Sequence, residues 1–170
     1  MNIIHWNNGD RVRFDPSLSV AVDPGALFKT SRVSGRINRV SRLDIEEPAG
    51  SFPLWQIEMD DDSAFMLLED KPANLWFLLR LMGESRHPGG MPDWLEQDEY
   101  SVSVPSGQLV AFGYYSPPLL ARLDGDDLLL RIYVRTTADS EEFLWVILKN
   151  DVVLEHWIGL VIDPAQILPG

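Results

Sequence analysis

Three features predict a mainly β chain whose antiparallel hairpins close as a barrel or sandwich, with few short helices. Segments rich in Val, Ile, Phe, Trp and Tyr alternate apolar and polar residues with the period of a strand. Acidic or turn-forming clusters at Asp60-Asp61-Asp62-Ser63, Asp124-Gly125-Asp126-Asp127 and Lys149-Asn150-Asp151 separate pairs of such segments at hairpin distance. Helical spacing is rare, and sheet edges left open would pair with other chains, so closure is expected.

In chain order, Gly9-Asp10 is a turn, Arg11 to Phe14 a half-buried strand, and Asp15-Pro16 its stop. Asp23-Pro24-Gly25 is a further turn. Ser34 to Leu43 alternates, with Ile37 and Leu43 on one parity and Arg39 an exception on the same parity. Pro48 to Pro53 is expected as a loop, followed by a hairpin of Leu54 to Met59 and Ala64 to Leu68 around the aspartate turn. Residues 74–82 are nearly all apolar; periodicity leaves helix or strand open, and the aromatics favour strand. His87 to Pro92 is expected as a loop, and Asp93 to Gln97 as one helical turn with an aspartate cap. Val110 to Tyr115 is a strand ended by Pro117-Pro118. Two hairpins close the chain: Leu119–Leu123 with Leu128–Arg135, then Phe143–Leu148 with Val152–Val161.

The chain has 170 residues, of which 45% are hydrophobic, enough for one domain over residues 1–170 with a sizeable core. Neither a repeat nor a linker divides it. Six Trp, seven Phe and four Tyr exclude a wholly disordered chain. The absence of cysteine excludes zinc ribbons, iron–sulfur clusters, thiol catalysis and a disulfide framework. The N-terminus lacks a basic and apolar leader, and the longest apolar runs, such as Phe143 to Leu148, are far short of the ~18 residues of a membrane helix. A soluble, cytoplasmic protein with no direct membrane insertion is the expectation.

Charge is unevenly distributed within a net of −12. Residues 1–42 carry seven basic residues against three acidic ones, a net of +4, and residues 43–170 carry −16. Nucleic acid is disfavoured as a partner. The surplus would neutralise few phosphates, the acidic body would repel the backbone, and the basic stretch lacks interleaved aromatics for base stacking. The basic strands are expected to pair with acidic ones of the same fold or, in Arg32, Arg36, Arg39 and Arg42, to dock an acidic protein partner or a second copy.

Signatures of enzymatic chemistry are sparse. Phosphate-binding glycine loops, a G-x-S-x-G elbow and H-E-x-x-H are all absent. His156, between Glu155 and Trp157 in a strand, is expected as a hydrogen-bonded structural histidine. Glu84, Arg86 and His87 form the one place where a carboxylate, an arginine and a histidine cluster in sequence, and they are the candidate ligand pocket. Asp60 and Asp62 are candidate metal ligands, although the turn departs from the calcium-loop pattern at Phe65 and an acidic solvated reversal is the favoured reading. The Trp residues are expected mostly in the core, with Trp94 and Tyr114-Tyr115 near strand or loop ends. No cofactor is expected.

Several segments together, Gly-Asp-Arg-Val-Arg-Phe-Asp-Pro from Gly9, Trp-Gln-Ile-Glu-Met-Asp-Asp-Asp-Ser-Ala-Phe-Met from Trp55, Leu-Arg-Ile-Tyr-Val-Arg from Leu130, Ser-Glu-Glu-Phe-Leu-Trp-Val from Ser140 and Glu-His-Trp-Ile-Gly-Leu from Glu155, carry a resemblance. The chain resembles the YjfK-like family of uncharacterised bacterial proteins over most of its length, with residues 71–109 departing from the pattern. That resemblance implies no catalytic residue; it implies an accessory role in an envelope-related assembly. The favoured expectation is a non-enzymatic protein-interaction domain. The alternatives are a small-ligand binder or enzyme with a pocket near His87, and an acidic immunity protein that neutralises a basic toxin.

Overall fold

The structure is a computed structural model, and it describes residues 6–19, 34–47, 50–70, 75–82, 99–103, 109–123, 125–136, 141–150 and 152–169. The described residues form eleven strands in chain order: β1 (Arg11–Phe14), β2 (Ser34–Glu47), β3 (Gly50–Met59), β4 (Ala64–Asp70), β5 (Leu75–Leu81), β6 (Glu99–Ser103), β7 (Leu109–Leu123), β8 (Asp126–Thr136), β9 (Glu141–Lys149), β10 (Val152–Ile162) and β11 (Ile167–Pro169). Short 3-10 turns at Pro16–Ser19 and Pro164–Gln166 are the helical pieces of the described residues.

All pairings are antiparallel, in the order β11-β1-β2-β3-β4-β5-β10-β9-β8-β7-β6, and β2 also pairs with β7. That contact, Asp44 to Glu46 against Arg122 to Leu120, closes eight strands (β2, β3, β4, β5, β10, β9, β8 and β7) into a barrel. Closure pairs β2 and β7 with each other where they would otherwise be open, and β11 and β6 end the ladder among the described residues. Both closing strands outrun the junction: Ser34 to Arg36 of β2 pair with β1, and Leu109 to Gly113 of β7 with β6. The three expected hairpins are present, with Asp62 (φ 65°) and Asn150 (φ 50°) in the left-handed conformation that Asp and Asn tolerate best among residues with a side chain.

The sequence expectation fails where the backbone breaks period two. A bulge in β2 between Ile37 and Arg39 puts Ile37 and Leu43 on opposite faces, in separate apolar clusters. Pro48 to Pro53 is not all loop, because β3 begins at Gly50 and Pro53 lies opposite Asp44 in the ladder. Nor do Pro117-Pro118 end a strand. β7 runs through them as register shifts between Tyr114 and Leu119, where a residue without an N–H costs no ladder bond. Residues 75–81 are strand. The turn at Asp23, the loop at His87 and the helical turn at Asp93 lie outside the described residues.

Strand β9 shows why the core is large: all seven residues from Glu142 to Leu148 are buried, so both faces of the wall are covered. One face carries Leu144, Val146 and Leu148 and joins a cluster that includes Val12 and Phe14 of β1, Tyr100 of β6 and Phe112 of β7. The other carries Phe143, Trp145 and Ile147 and joins a cluster drawn from all eight barrel strands. These are called below the Leu144 face and the Trp145 face. Gly159 lets β10 and β5 approach on the latter. A Cβ there would overlap the Leu78 carbonyl oxygen and stand 2.8 Å from Leu79 Cα.

Candidate functional site

The bulge in β2 decides which of its arginines act together. Arg36 and Arg39 lie on the face opposite Ile37, whereas Arg42 follows the other parity and stacks over Trp55 at 5.7 Å. Strand β1 alternates buried Val12 and Phe14 with exposed Arg11 and Arg13. In the β1–β2 register Arg11 stands directly across from Arg36, with Arg13 two residues along. Four exposed guanidiniums, Arg11, Arg13, Arg36 and Arg39, thus share one face at the end of the barrel where β1 is added.

Neutralisation separates this group from the other surface cations, Arg42, Arg122 and Lys149. Arg42 is paired with Asp44 at 2.8 Å, Arg122 with Glu46 at 3.0 Å and Asp127 at 2.9 Å, and Lys149 with Asp126 at 3.3 Å. Arg36 instead donates to the Gly9 carbonyl at 3.2 Å, and Arg39 to the Ser41 hydroxyl at 3.2 Å. Among the described residues none of the four ladder arginines forms an ion pair with a carboxylate. Like charges directly opposite across strands are unfavourable. Of the four candidates expected from the sequence, Arg36 and Arg39 belong together here, Arg42 is engaged on the other face, and Arg32 lies outside the described residues. Arg11 and Arg13 were missing from that set because their role depends on the β1–β2 register.

A second polar group is built into the Leu144 face. Glu142 is fully buried on β9 and accepts from Arg135 Nε at 3.0 Å and Nη2 at 2.5 Å, while the same guanidinium lies 5.5 Å over the Phe112 ring. Arg80 of β5 is pulled two ways: burial lowers its pKa, and the Glu142 charge raises it. Arg131, 7% exposed, sits two residues before Tyr133 with its guanidinium 5.7 Å from that ring. Tyr133 is stacked on Tyr100, and the Tyr100 hydroxyl shares a 2.6 Å hydrogen bond with His156 Nε2. Burial pushes both tyrosine phenols up, so they remain protonated at neutral pH. His156 is therefore a buried, hydrogen-bonded histidine, as the sequence suggested. The sequence signal for the rest was the period-two spacing Arg131, Tyr133, Arg135 inside an otherwise apolar strand, which places three polar side chains on one face.

The aspartate turn serves its hairpin. Asp61 accepts from the Ser63 backbone at 3.1 Å and from its hydroxyl, and Asp60 donates its N–H to Arg36 O at 3.0 Å. Asp60 and Asp62 are exposed, and among the described residues no group of three or more His, Asp or Glu is positioned to hold a metal. Glu84, Arg86 and His87 lie outside the described residues, as does Trp94. Tyr114 and Tyr115 are exposed, while Trp145 and Trp157 are among the largest fully buried side chains. No helix among the described residues is long and apolar enough to cross a membrane. No protein-family model, curated protein or solved structure matches this chain.

Proposed function

We propose that this protein is a non-enzymatic interaction protein that docks an acidic protein partner on the arginine ladder of β1 and β2. One observation carries the proposal: in a chain of net charge −12, the exposed Arg11, Arg13, Arg36 and Arg39 form no ion pair with a carboxylate among the described residues. An acidic surface laid across the ladder relieves the repulsion between Arg11 and Arg36 and gains charge-assisted hydrogen bonds. Because the guanidiniums are exposed, they contribute to steering and to selection of the partner. An accessory place in an envelope-related assembly is the context that the YjfK-like resemblance implies for such a partner.

The test is capture from host lysate with tagged wild type, followed by direct affinity measurement on the captured protein. An Arg11→Glu/Arg36→Glu variant is expected to lose about two orders of magnitude in Kd, the size of two charge-assisted contacts. Arg42→Gln is expected to bind as wild type. Retained binding by the double variant, or a captured partner whose contact surface is not acidic, overturns the reading. Self-association that disappears in the double variant identifies a second copy as the partner.

A further inference from the structure

The Leu144 face carries an inference that is independent of the arginine ladder. Arg131 is the described cation least reconciled with its surroundings. It is more than nine-tenths buried, and among the described residues no carboxylate pairs with it and its Nε has no hydrogen-bond acceptor. Two residues along the same strand, on the same face, the Tyr133 hydroxyl is also buried without an acceptor. The nearby carboxylate, Glu142, is already taken up by Arg135. Glu142 is the one fully buried carboxylate among the described residues, and the buried Arg131 shares this part of the face with Arg80 and Arg135. Buried donors are normally satisfied, and a buried guanidinium needs a negative partner more than any neutral donor does.

The wall is also interrupted at this point. β8 and β7 pair at Ile132 with Ser116 and at Leu130 with Leu119, so Arg131, between them, faces the stretch of β7 where the ladder slips across Pro117 and Pro118. Neither proline has an N–H to offer, so that stretch competes weakly for an anion.

We propose that Arg131 and the Tyr133 hydroxyl form a binding site for a small oxyanion, carboxylate or phosphate, entering where β7 bulges away from β8. Arg131 supplies charge and Nε–H, and Tyr133 supplies its O–H. The guanidinium fork matches either a carboxylate or a phosphate, and its stacking on the Tyr133 ring keeps it in place. The Tyr100–His156 hydrogen bond fixes the aromatic stack behind it.

The test is thermal unfolding and calorimetric titration of the full chain with phosphate, acetate and octanoate, each against chloride at matched ionic strength. Wild type is expected to gain Tm progressively with at least one of these anions, as mass action on a folded-state site requires. A response to phosphate alone assigns a phosphate ligand. A response to both carboxylates assigns a bare carboxylate, and one to octanoate alone a carboxylate with an apolar tail. Tyr133→Phe removes one donor at little cost in shape and is expected to weaken the response about tenfold. Arg131→Met is expected to abolish it while raising Tm in chloride, because it removes a buried unpaired charge. Absence of any anion response in wild type, or a response of wild-type size in Tyr133→Phe, overturns the site whether or not Arg131→Met folds.

Discussion

Glu142 shows what a single buried charge demands of its neighbours. Its carboxylate has no exposed surface, and Arg135 meets it with two hydrogen bonds. Glu142→Gln would leave Arg135, Arg80 and Arg131 without that counter-charge. The expected loss is about 3 kcal/mol, the low end for a broken buried pair because Arg135 keeps 20% of its side chain in solvent. Urea unfolding measures it, and an Arg135→Met/Glu142→Leu double variant is expected to recover most of the loss. If the double variant is as unstable as the single one, the pair is not the source. Glu155 behaves oppositely. Burial pushes its carboxyl up, Trp157 opposing and the charge of Glu58 adding. The folded state therefore binds the proton before the unfolded state does as pH falls. That makes stability rise as pH drops through the raised folded-state pKa towards the ordinary carboxylate value. Glu155→Gln is expected to remove that slope and to exceed wild type at pH 7 by less than about 1 kcal/mol, solvent access limiting the gain. Unfolding midpoints between pH 7 and pH 4 check the sign.

At the scale of elements, the strands of the wall are constrained by how closely they approach. Gly159 sits where β10 crosses nearest to β5, and the atoms a Cβ would meet are the Leu78 carbonyl and Leu79 Cα, backbone that cannot rotate away. Gly159→Ala is expected to cost at least about 2 kcal/mol by overpacking, against near neutrality at exposed Gly113, where the nearest atom stands at 3.6 Å. A midpoint change within 0.5 kcal/mol of wild type, about the noise of a surface substitution, would count against this account. Bulges have the converse effect. Those in β2 and β7 insert residues that reset which side chains face which way, and the one in β2 puts Arg36 on the face of Arg39 and off that of Arg42.

For the whole molecule, the relevant quantity is a net charge of −12 with a cationic ladder at one end. Long-range repulsion between acidic bodies opposes association, and the ladder supplies a short-range attraction that salt screens beyond about 10 Å at 0.1 M. Salt screens both terms, so the ladder is read from the ratio of wild-type to Arg11→Glu/Arg36→Glu association rates, expected to be about tenfold or more at 50 mM and to shrink towards one at 500 mM, with dissociation changing less. Surface-plasmon kinetics separate the two. A wild-type to variant ratio that does not change with salt is incompatible with docking on Arg11, Arg13, Arg36 and Arg39.

The class of fold was legible in the sequence because its causes are local. Alternation over Arg11 to Phe14, the aspartate turn between β3 and β4, and the turns at Gly125 and Asn150 each need only neighbouring residues to act. His156 as a structural histidine was legible for the same reason, an apolar strand leaving it little else to do. What the tertiary structure alone decided depends on residues far apart in the chain. Barrel closure joins Asp44–Glu46 to Leu120–Arg122, and the Leu144 face brings Arg80, Arg131, Glu142, Tyr100 and His156 together from five strands. Even the basic stretch of the first 42 residues became a specific ladder only through the β1–β2 register and one bulge. Period two specifies two faces for each strand, and only ring closure and bulges decide what those faces meet.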